Sequence, residues 1–289
     1  MAETAKRITL PDGRELGYAR FGKRDGAPVI FNHGFPASRL EGELWSEAAG
    51  HAGVSLIAPD RPGFGLSSFR PERTILDWPE DVAALAAALQ LDRFWIVGGS
   101  AGCPYALACT HRLRERVLGA ALVAGLGPTT EKAATRQMGA VARAAFALAR
   151  HAPPVFRLVF GGLGKLVAKR PALNFSLNEA TPPDQEMLAQ PEIRAIIEAS
   201  IREAFHAGTA GAVHELALLA RPWGFGIDEI TTPVCLWHGT NDGVTPHAMS
   251  EFLAGRAPNA ELRLVAGEGH LSLPVRHGAE ILETLISSG

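Results

Sequence analysis

Ser100 is the residue whose neighbours best prepare it for chemistry. It stands in Gly98-Gly99-Ser100-Ala101-Gly102, a GxSxG pentapeptide between the apolar run Phe94 to Val97 and a helical pattern that opens at Ala101. A strand turning sharply into a helix forces the corner residue into a strained backbone, tolerated where small residues flank it, and Gly98 and Gly102 are such residues. The hydroxyl then projects above the sheet end, over the free N–H groups and positive potential of a helix N-terminus. Nucleophilic attack on a carbonyl is the chemistry this arrangement serves.

A serine hydroxyl is a poor nucleophile at neutral pH, so a general base must lie within hydrogen-bond reach, with a carboxylate to orient that base and balance its charge. In a parallel sheet the reactive groups gather beyond the C-terminal strand ends. His270, in Gly267-Glu268-Gly269-His270, follows the apolar run ending near Val265 and precedes the last helical segment. Asp242, in Gly239-Thr240-Asn241-Asp242, follows Pro233 to His238 and precedes Pro246, which can open a helix. The chain order is therefore Ser, Asp, His. Of the ten histidines, His277, His51 and His111 read as helix-surface or helix-end residues, His238 as part of a strand end, and His206 and His214 as part of a helical insert. The other position open to the acid, the turn after Val117 to Ala124, holds Gly125-Leu126-Gly127-Pro128 and no carboxylate.

His33-Gly34-Phe35-Pro36 follows another apolar run, Pro28 to Asn32. A turn there can present the Phe35 N–H beside that of Ala101, two donors aimed at one oxyanion. His33 is expected to hold this loop and not to move protons. Asp60 to Ser67, DRPGFGLS, is Gly-rich but lacks a phosphate-binding lysine in place, so it reads as a structural turn near the pocket.

The elements that must position these residues are legible in the punctuation. Lys6 to Leu10 and Arg14 to Phe21 flank Pro11-Asp12-Gly13, which predicts an antiparallel hairpin. Pro28 to Asn32, Val54 to Ala58, Arg93 to Gly98, Val117 to Ala124, Pro233 to His238 and Glu261 to Val265 are short apolar runs, as expected of strands buried on both faces. Between them, Arg39 to Gly50, Thr74 to Leu91, Ala101 to Leu113, Pro246 to Arg256 and Ser272 to Ser288 have helical pattern. The alternation predicts an α/β fold with a mainly parallel sheet.

One stretch breaks the rhythm. Residues 128–228 are helical in pattern without a convincing strand, too long for a connection, and read as a cap inserted into a core of residues 1–127 and 229–289. Lys132 to Arg170 carries eight basic residues and no acidic one, whereas Glu179 to Glu215 carries seven acidic residues and only Arg194 and Arg202. Arg136, Arg143 and Arg150 recur at heptad spacing opposite a stripe of Met138, Val141, Ala145 and Leu148. The basic face reads as solvated, with some charges paired to the acidic half, in preference to a surface for an anionic substrate or a membrane. A substrate pocket is expected between sheet and cap, walled by Phe35, Phe146, Phe160, Phe175, Leu177 and Trp223.

Composition narrows the classes. Twenty-eight Lys plus Arg against 30 Asp plus Glu give a net charge of −2, with no electrostatic case for nucleic acid. An apolar fraction of 47% with 20% charged residues describes a globular chain, not a disordered one. No apolar run reaches the length of a membrane span, and residues 1–17 lack a signal-peptide core. Cys103, Cys109 and Cys235 have no metal or CxxC spacing and read as reduced, mostly buried thiols. The expectation is a cytoplasmic enzyme or binding protein without structural disulfides or zinc, and no cofactor is expected.

Taken together, HGFP, DRPGFGLS, GGSAG, GTND and EGH, in that order across nearly the whole chain, resemble the α/β-hydrolase superfamily. The resemblance implies an eight-stranded, mostly parallel sheet, a helical lid after the sixth strand, and Ser100, Asp242 and His270 as a catalytic triad. HGFP is also similar to epoxide hydrolases and dehalogenases, but those use an aspartate where Ser100 stands, and Tyr18 and Tyr105, the only tyrosines, lie outside the lid. DRPGFGLS and the lid position resemble proline-iminopeptidase-like hydrolases, whose HGGPG element is replaced here by His33-Gly34-Phe35-Pro36-Ala37. The expected activity is hydrolysis of a carboxylic ester, with an acyl or aromatic small molecule as substrate. Amide, peptide or C–C bond hydrolysis, transfer to an alcohol, and a receptor that keeps the triad without turnover are the alternatives.

Overall fold

A computed structural model describes residues 3–171 and 180–287. Eight strands form one sheet: β1 (Glu3–Thr9), β2 (Glu15–Gly22), β3 (Ala27–Asn32), β4 (Val54–Pro59), β5 (Phe94–Gly99), β6 (Val117–Val123), β7 (Val234–Gly239) and β8 (Ala260–Val265). Their order is β1-β2-β4-β3-β5-β6-β7-β8. β2 pairs antiparallel with both β1 and β4, and every other neighbour is parallel. The hairpin predicted around Pro11-Asp12-Gly13 is β1–β2, closed by the Gly13 N–H on the Leu10 carbonyl at 2.9 Å.

β4 and β7 are buried at every residue, which explains their unbroken apolar runs, whereas β8, at the sheet edge, is only partly buried. Alternation divides the core into two layers. Ile30, Ile57, Ile96 and Leu236 face α2 (Trp78–Ala88) and α3 (Cys103–Arg112), whereas Val29, Phe31, Leu56, Val97 and Val123 face α1 (Ser46–His51) and the C-terminal Ser272–Ser287 helix. The predicted helices beginning near residues 39, 74 and 101 open as 3-10 turns, Arg39–Trp45, Ile75–Asp77 and Ser100–Gly102, before any α-helix forms. Such turns commonly satisfy end groups at a helix N-terminus. At Thr74 the amide donates to Asp77 Oδ2 at 2.6 Å, so the predicted start is marked by a carboxylate cap.

Between β6 and β7 the described residues hold α4 (Ala140–His151), α5 (Pro153–Lys169), α6 (Pro182–Ala189), α7 (Pro191–Ala204) and α8 (Ala210–Leu219), and no strand. These helices pack on two small apolar clusters of their own. One joins Phe64, from the Gly-rich loop, to Val167, Ile201 and Phe205, and the other joins Ala149, Phe156 and Ala220. After β7 come α9 (Ala248–Ala254) and, beyond β8, α10 (Ser272–Ser287).

Two expectations for the insert need correction. Val141 is 79% exposed and drops out of the inward stripe, whereas Met138, Ala145 and Leu148 face inward, joined by Ala142, Phe146 and Ala149. The arginines also find partners outside the acidic half of the insert. Arg136 pairs with Glu251 of α9, and Arg150 donates to the Ala220 carbonyl at 2.7 Å and the Thr129 carbonyl at 3.1 Å. They fasten the insert to itself and to the core. The three cysteines are free and buried, and burial pushes the Cys103 thiol up to about 12. No helix among the described residues is long and apolar enough to cross a membrane.

Candidate active site

Ser100 occupies the corner between β5 and α3 with φ of +50°, in the left-handed region that side chains other than glycine rarely adopt. Close packing explains the flanking glycines. A Cβ on Gly102 would stand 2.1 Å from the Asn32 carbonyl oxygen, and one on Gly98 would stand 2.8 Å from the Cys103 Cα. The corner can form only with hydrogen at both positions.

Asp242 lies in the loop after β7, its carboxylate shielded from solvent. Oδ1 accepts the Val244 N–H at 2.8 Å and the Thr245 N–H at 2.9 Å, which fixes the side chain. Oδ2 stands 2.8 Å from His270 Nδ1, and the Thr245 hydroxyl lies 3.0 Å from that same oxygen. Burial disfavours the carboxylate, but the His270 charge and the hydrogen bonds from His238 and His270 outweigh it, so the Asp242 pKa falls well below the usual carboxylate range. For His270 burial likewise opposes the charged form. Asp242, with smaller contributions from Asp184 and Glu41, overcomes that and raises the pKa above 6.5. With Nδ1 turned to Asp242, Nε2 is the nitrogen left for proton transfer.

A cavity of about 400 Å³ opens over this corner. Ser100 and His270 both line it, with Gly34 and Phe35 from the loop after β3 and Phe146, Phe156 and Phe160 from the insert. Phe156 and Phe160 stack with ring centres 4.4 Å apart. Ala101, next to Ser100, is buried at the start of the 3-10 turn. Of the expected wall residues, Phe35, Phe146 and Phe160 are in place, and Phe175 and Leu177 lie outside the described residues. Trp223 is not in this wall. It follows α8 on the return toward β7, is packed in the main core beside Phe225, and borders a separate groove with Pro128 and Phe252.

The loop that carries Phe35 is held by buried charge. His33 is fully buried and its pKa is well below 6.5, because burial and the nearby Arg61 disfavour its protonation. Its Nε2 accepts the Arg61 N–H at 3.2 Å. The Arg61 guanidinium donates to the carbonyls of His33 and Gly34, the latter at 3.0 Å, and lies 2.5 Å from Glu215 Oε1. Glu215 sits on α8 and also accepts Arg73 Nη2 at 2.7 Å and the Tyr105 hydroxyl at 3.0 Å. A carboxylate from the insert therefore anchors the arginine that braces the Phe35 loop. Burial opposes its ionisation, yet Arg61 and Arg73 bring the Glu215 pKa down to about 2.

Besides Glu215, sequence reasoning missed three polar residues. Asp184, on α6, receives the backbone N–H groups of His270 at 2.9 Å, Leu271 at 2.8 Å and Ser272 at 3.0 Å, so the insert also holds the His270 loop. His238, read as part of a strand end, places Nε2 3.2 Å from Asp242 Oδ2. Glu41 lines the cavity and accepts the Gly34 N–H at 2.5 Å. The Asp184 contacts span 86 to 88 residues, so no local spacing could signal them. Asp184 and Glu41 read locally as ordinary acidic residues near helix starts. Among the described residues no three His, Cys, Asp or Glu side chains form a group that could hold a metal ion.

A strand-to-helix corner, an Asp–His pair at neighbouring strand ends and a helical insert over them define a class of fold. The family model for the alpha/beta hydrolase fold matches residues 27–276, and the chain belongs to that family. Among curated proteins it is similar to a non-heme chloroperoxidase of Streptomyces lividans, 29% identical over 272 residues, covering 91% of this chain and 92% of that protein. Among solved structures it is similar to an esterase from Exiguobacterium antarcticum, with a TM-score of 0.69, 20% identity and 98% of each chain covered. A bromoperoxidase from Bacillus anthracis gives a TM-score of 0.70 at 20% identity, with 98% of this chain and 99% of that one covered. These structural likenesses bear on the fold.

Proposed function

We propose that the protein hydrolyses carboxylic esters through an acyl-enzyme intermediate on Ser100. The observation that carries this reading is one cavity lined by both a serine at a strained strand-to-helix corner and a histidine whose far nitrogen is held by a buried carboxylate. His270 Nε2 takes the Ser100 hydroxyl proton as Oγ attacks the acyl carbon. The Phe35 and Ala101 amides receive the developing oxyanion, and Asp242 balances the imidazolium. The C–O bond to the alcohol then breaks, and His270 returns its proton to that oxygen. Water, activated by the same imidazole, attacks the acyl carbon and releases acid and free Ser100. The aromatic and aliphatic walls favour an apolar acyl or aryl group over a sugar.

The test compares p-nitrophenyl butyrate with amino-acid p-nitroanilides for wild type and Ser100→Ala. Ester turnover well above anilide turnover, falling by roughly 10³-fold or more in the variant, supports the reading. Ester hydrolysis that survives Ser100→Ala contradicts it.

A further inference from the structure

The cavity contains a carboxylate that moves no proton in the ester mechanism and adds only a smaller contribution to the His270 pKa. Glu41 sits in the Arg39–Trp45 turn, and its Oε1 lies 3.2 Å from the point where a Cβ on Gly34 would stand; the Ser100 Cβ lies 3.4 Å from that same point. The carboxylate and the Ser100 side chain thus both adjoin Gly34 in the lining of the one cavity. Its Oε2 accepts the Gly34 N–H, while Oε1 accepts no hydrogen bond and neither oxygen has an ion-pair partner among the described residues. Arg61, a nearby cation, is already committed to Glu215.

The backbone that leads into the Glu41 turn is anchored. Arg39 donates from Nη1 to Asp60 at 2.8 Å and to Glu203 at 2.6 Å, and the Ser38 N–H donates to the Ser200 hydroxyl at 2.9 Å. Glu41 is half-buried, its carboxylate opening on the cavity with a single donor, and the partial loss of solvent raises its pKa against the opposing effects of Gly34, Arg61 and His270. Beside a developing oxyanion an unpaired negative charge opposes the reaction of a neutral substrate. A positive charge on the substrate reverses that effect by pairing with Glu41 and offsetting the oxyanion together.

We propose that Glu41 is a specificity-determining residue that selects esters carrying a positive charge within a few bonds of the scissile carbonyl. This rests on Ser100 being the nucleophile. Amino and quaternary ammonium groups are the chemistry that fits, since both supply the missing cation while their hydrocarbon parts suit the phenylalanine-rich wall.

Two pairs of esters matched in shape test the proposal on either side of the scissile bond. One pair is the p-nitrophenyl esters of 4-(trimethylammonio)butyrate and 5,5-dimethylhexanoate, and the other is choline butyrate and 3,3-dimethylbutyl butyrate. In wild type, kcat/KM for the charged member of at least one pair should exceed that of its neutral partner by about 10-fold or more. In Glu41→Gln, which keeps an oxygen for the Gly34 N–H, that preference should shrink to about twofold or less. Parity in both pairs for wild type overturns the proposal without recourse to any variant, as does a preference that survives Glu41→Gln. Absence of Ser100-dependent turnover of every ester instead overturns the hydrolase reading, and this proposal with it.

Discussion

The Asp184 carboxylate, on the insert, accepts the backbone N–H of His270, on the core, at 2.9 Å. With the Leu271 and Ser272 amides bound to the same side chain, one residue of α6 caps the start of α10 and sets where the imidazole stands. Insert and core thus share the site, and Glu215 repeats the pattern on the opposite side through Arg61.

Asp184→Ala removes all three acceptor contacts at once. A displaced imidazole costs roughly 10²-fold in rate when the shift is near 1 Å. Ester kcat should therefore fall by about 10- to 100-fold with KM changed little, and Asp184→Glu should recover less than wild-type kcat because its reach differs. Steady-state kinetics on a p-nitrophenyl ester checks this. Unchanged kcat in a folded Asp184→Ala variant would remove Asp184 from the account.

In the proposed mechanism His270 must be neutral to accept the Ser100 proton, and its pKa is raised above 6.5 by Asp242 against the opposing effect of burial. The kcat/KM profile should accordingly rise with pH through a midpoint above 6.5. Asp242→Asn removes the raising charge, so the midpoint should move to lower pH while the plateau rate drops by roughly 10³- to 10⁴-fold. A pH–rate profile of both proteins measures the two effects separately.

Against the opposing effect of burial, Arg61 and Arg73 bring the Glu215 pKa down to about 2 from the ordinary 4.5 of a free glutamate, so its ionised form stabilises the native state at neutral pH. Because the folded value is depressed, that contribution is present above about 4.5 and is lost as pH falls toward about 2. Glu215→Gln leaves the buried Arg61 and Arg73 without their shared anion and should destabilise by about 3–5 kcal/mol. Urea denaturation at pH 7 and pH 3 should show a smaller difference between wild type and variant at the lower pH.

Phe146 and Phe160 line the cavity and Trp223 does not. Phe146→Ala should shift preference toward longer or bulkier acyl chains, read as kcat/KM across p-nitrophenyl esters of graded length. Trp223→Phe should alter stability and leave the chain-length profile where it was.

Much of this site could be read from the chain because its parts are local. Ser100 is marked by its own glycines, and Asp242 and His270 follow strands whose apolar runs are unmistakable. The strands were readable for the same reason, since burial on both faces leaves a continuous apolar signature. Val141 and Trp223 were misplaced because apolar character reports a tendency to be buried but not which surface does the burying. Val141 is left on the exposed side of α4, and Trp223 packs into the main core after α8 ends. Asp184, Glu215 and Glu41 were invisible as site residues because their partners come from distant parts of the chain or from a loop turning back on itself. A carboxylate near a helix start looks the same whether it faces water, caps another helix or borders a nucleophile.

The most direct test of the central claim is the mass of the protein after treatment with a fluorophosphonate probe, followed by peptide mapping. One phosphonyl adduct is expected on Ser100, formed quickly in wild type and absent or much slower in His270→Ala. Folded wild-type protein that leaves Ser100 unmodified, or carries the adduct on a different serine, would contradict that claim.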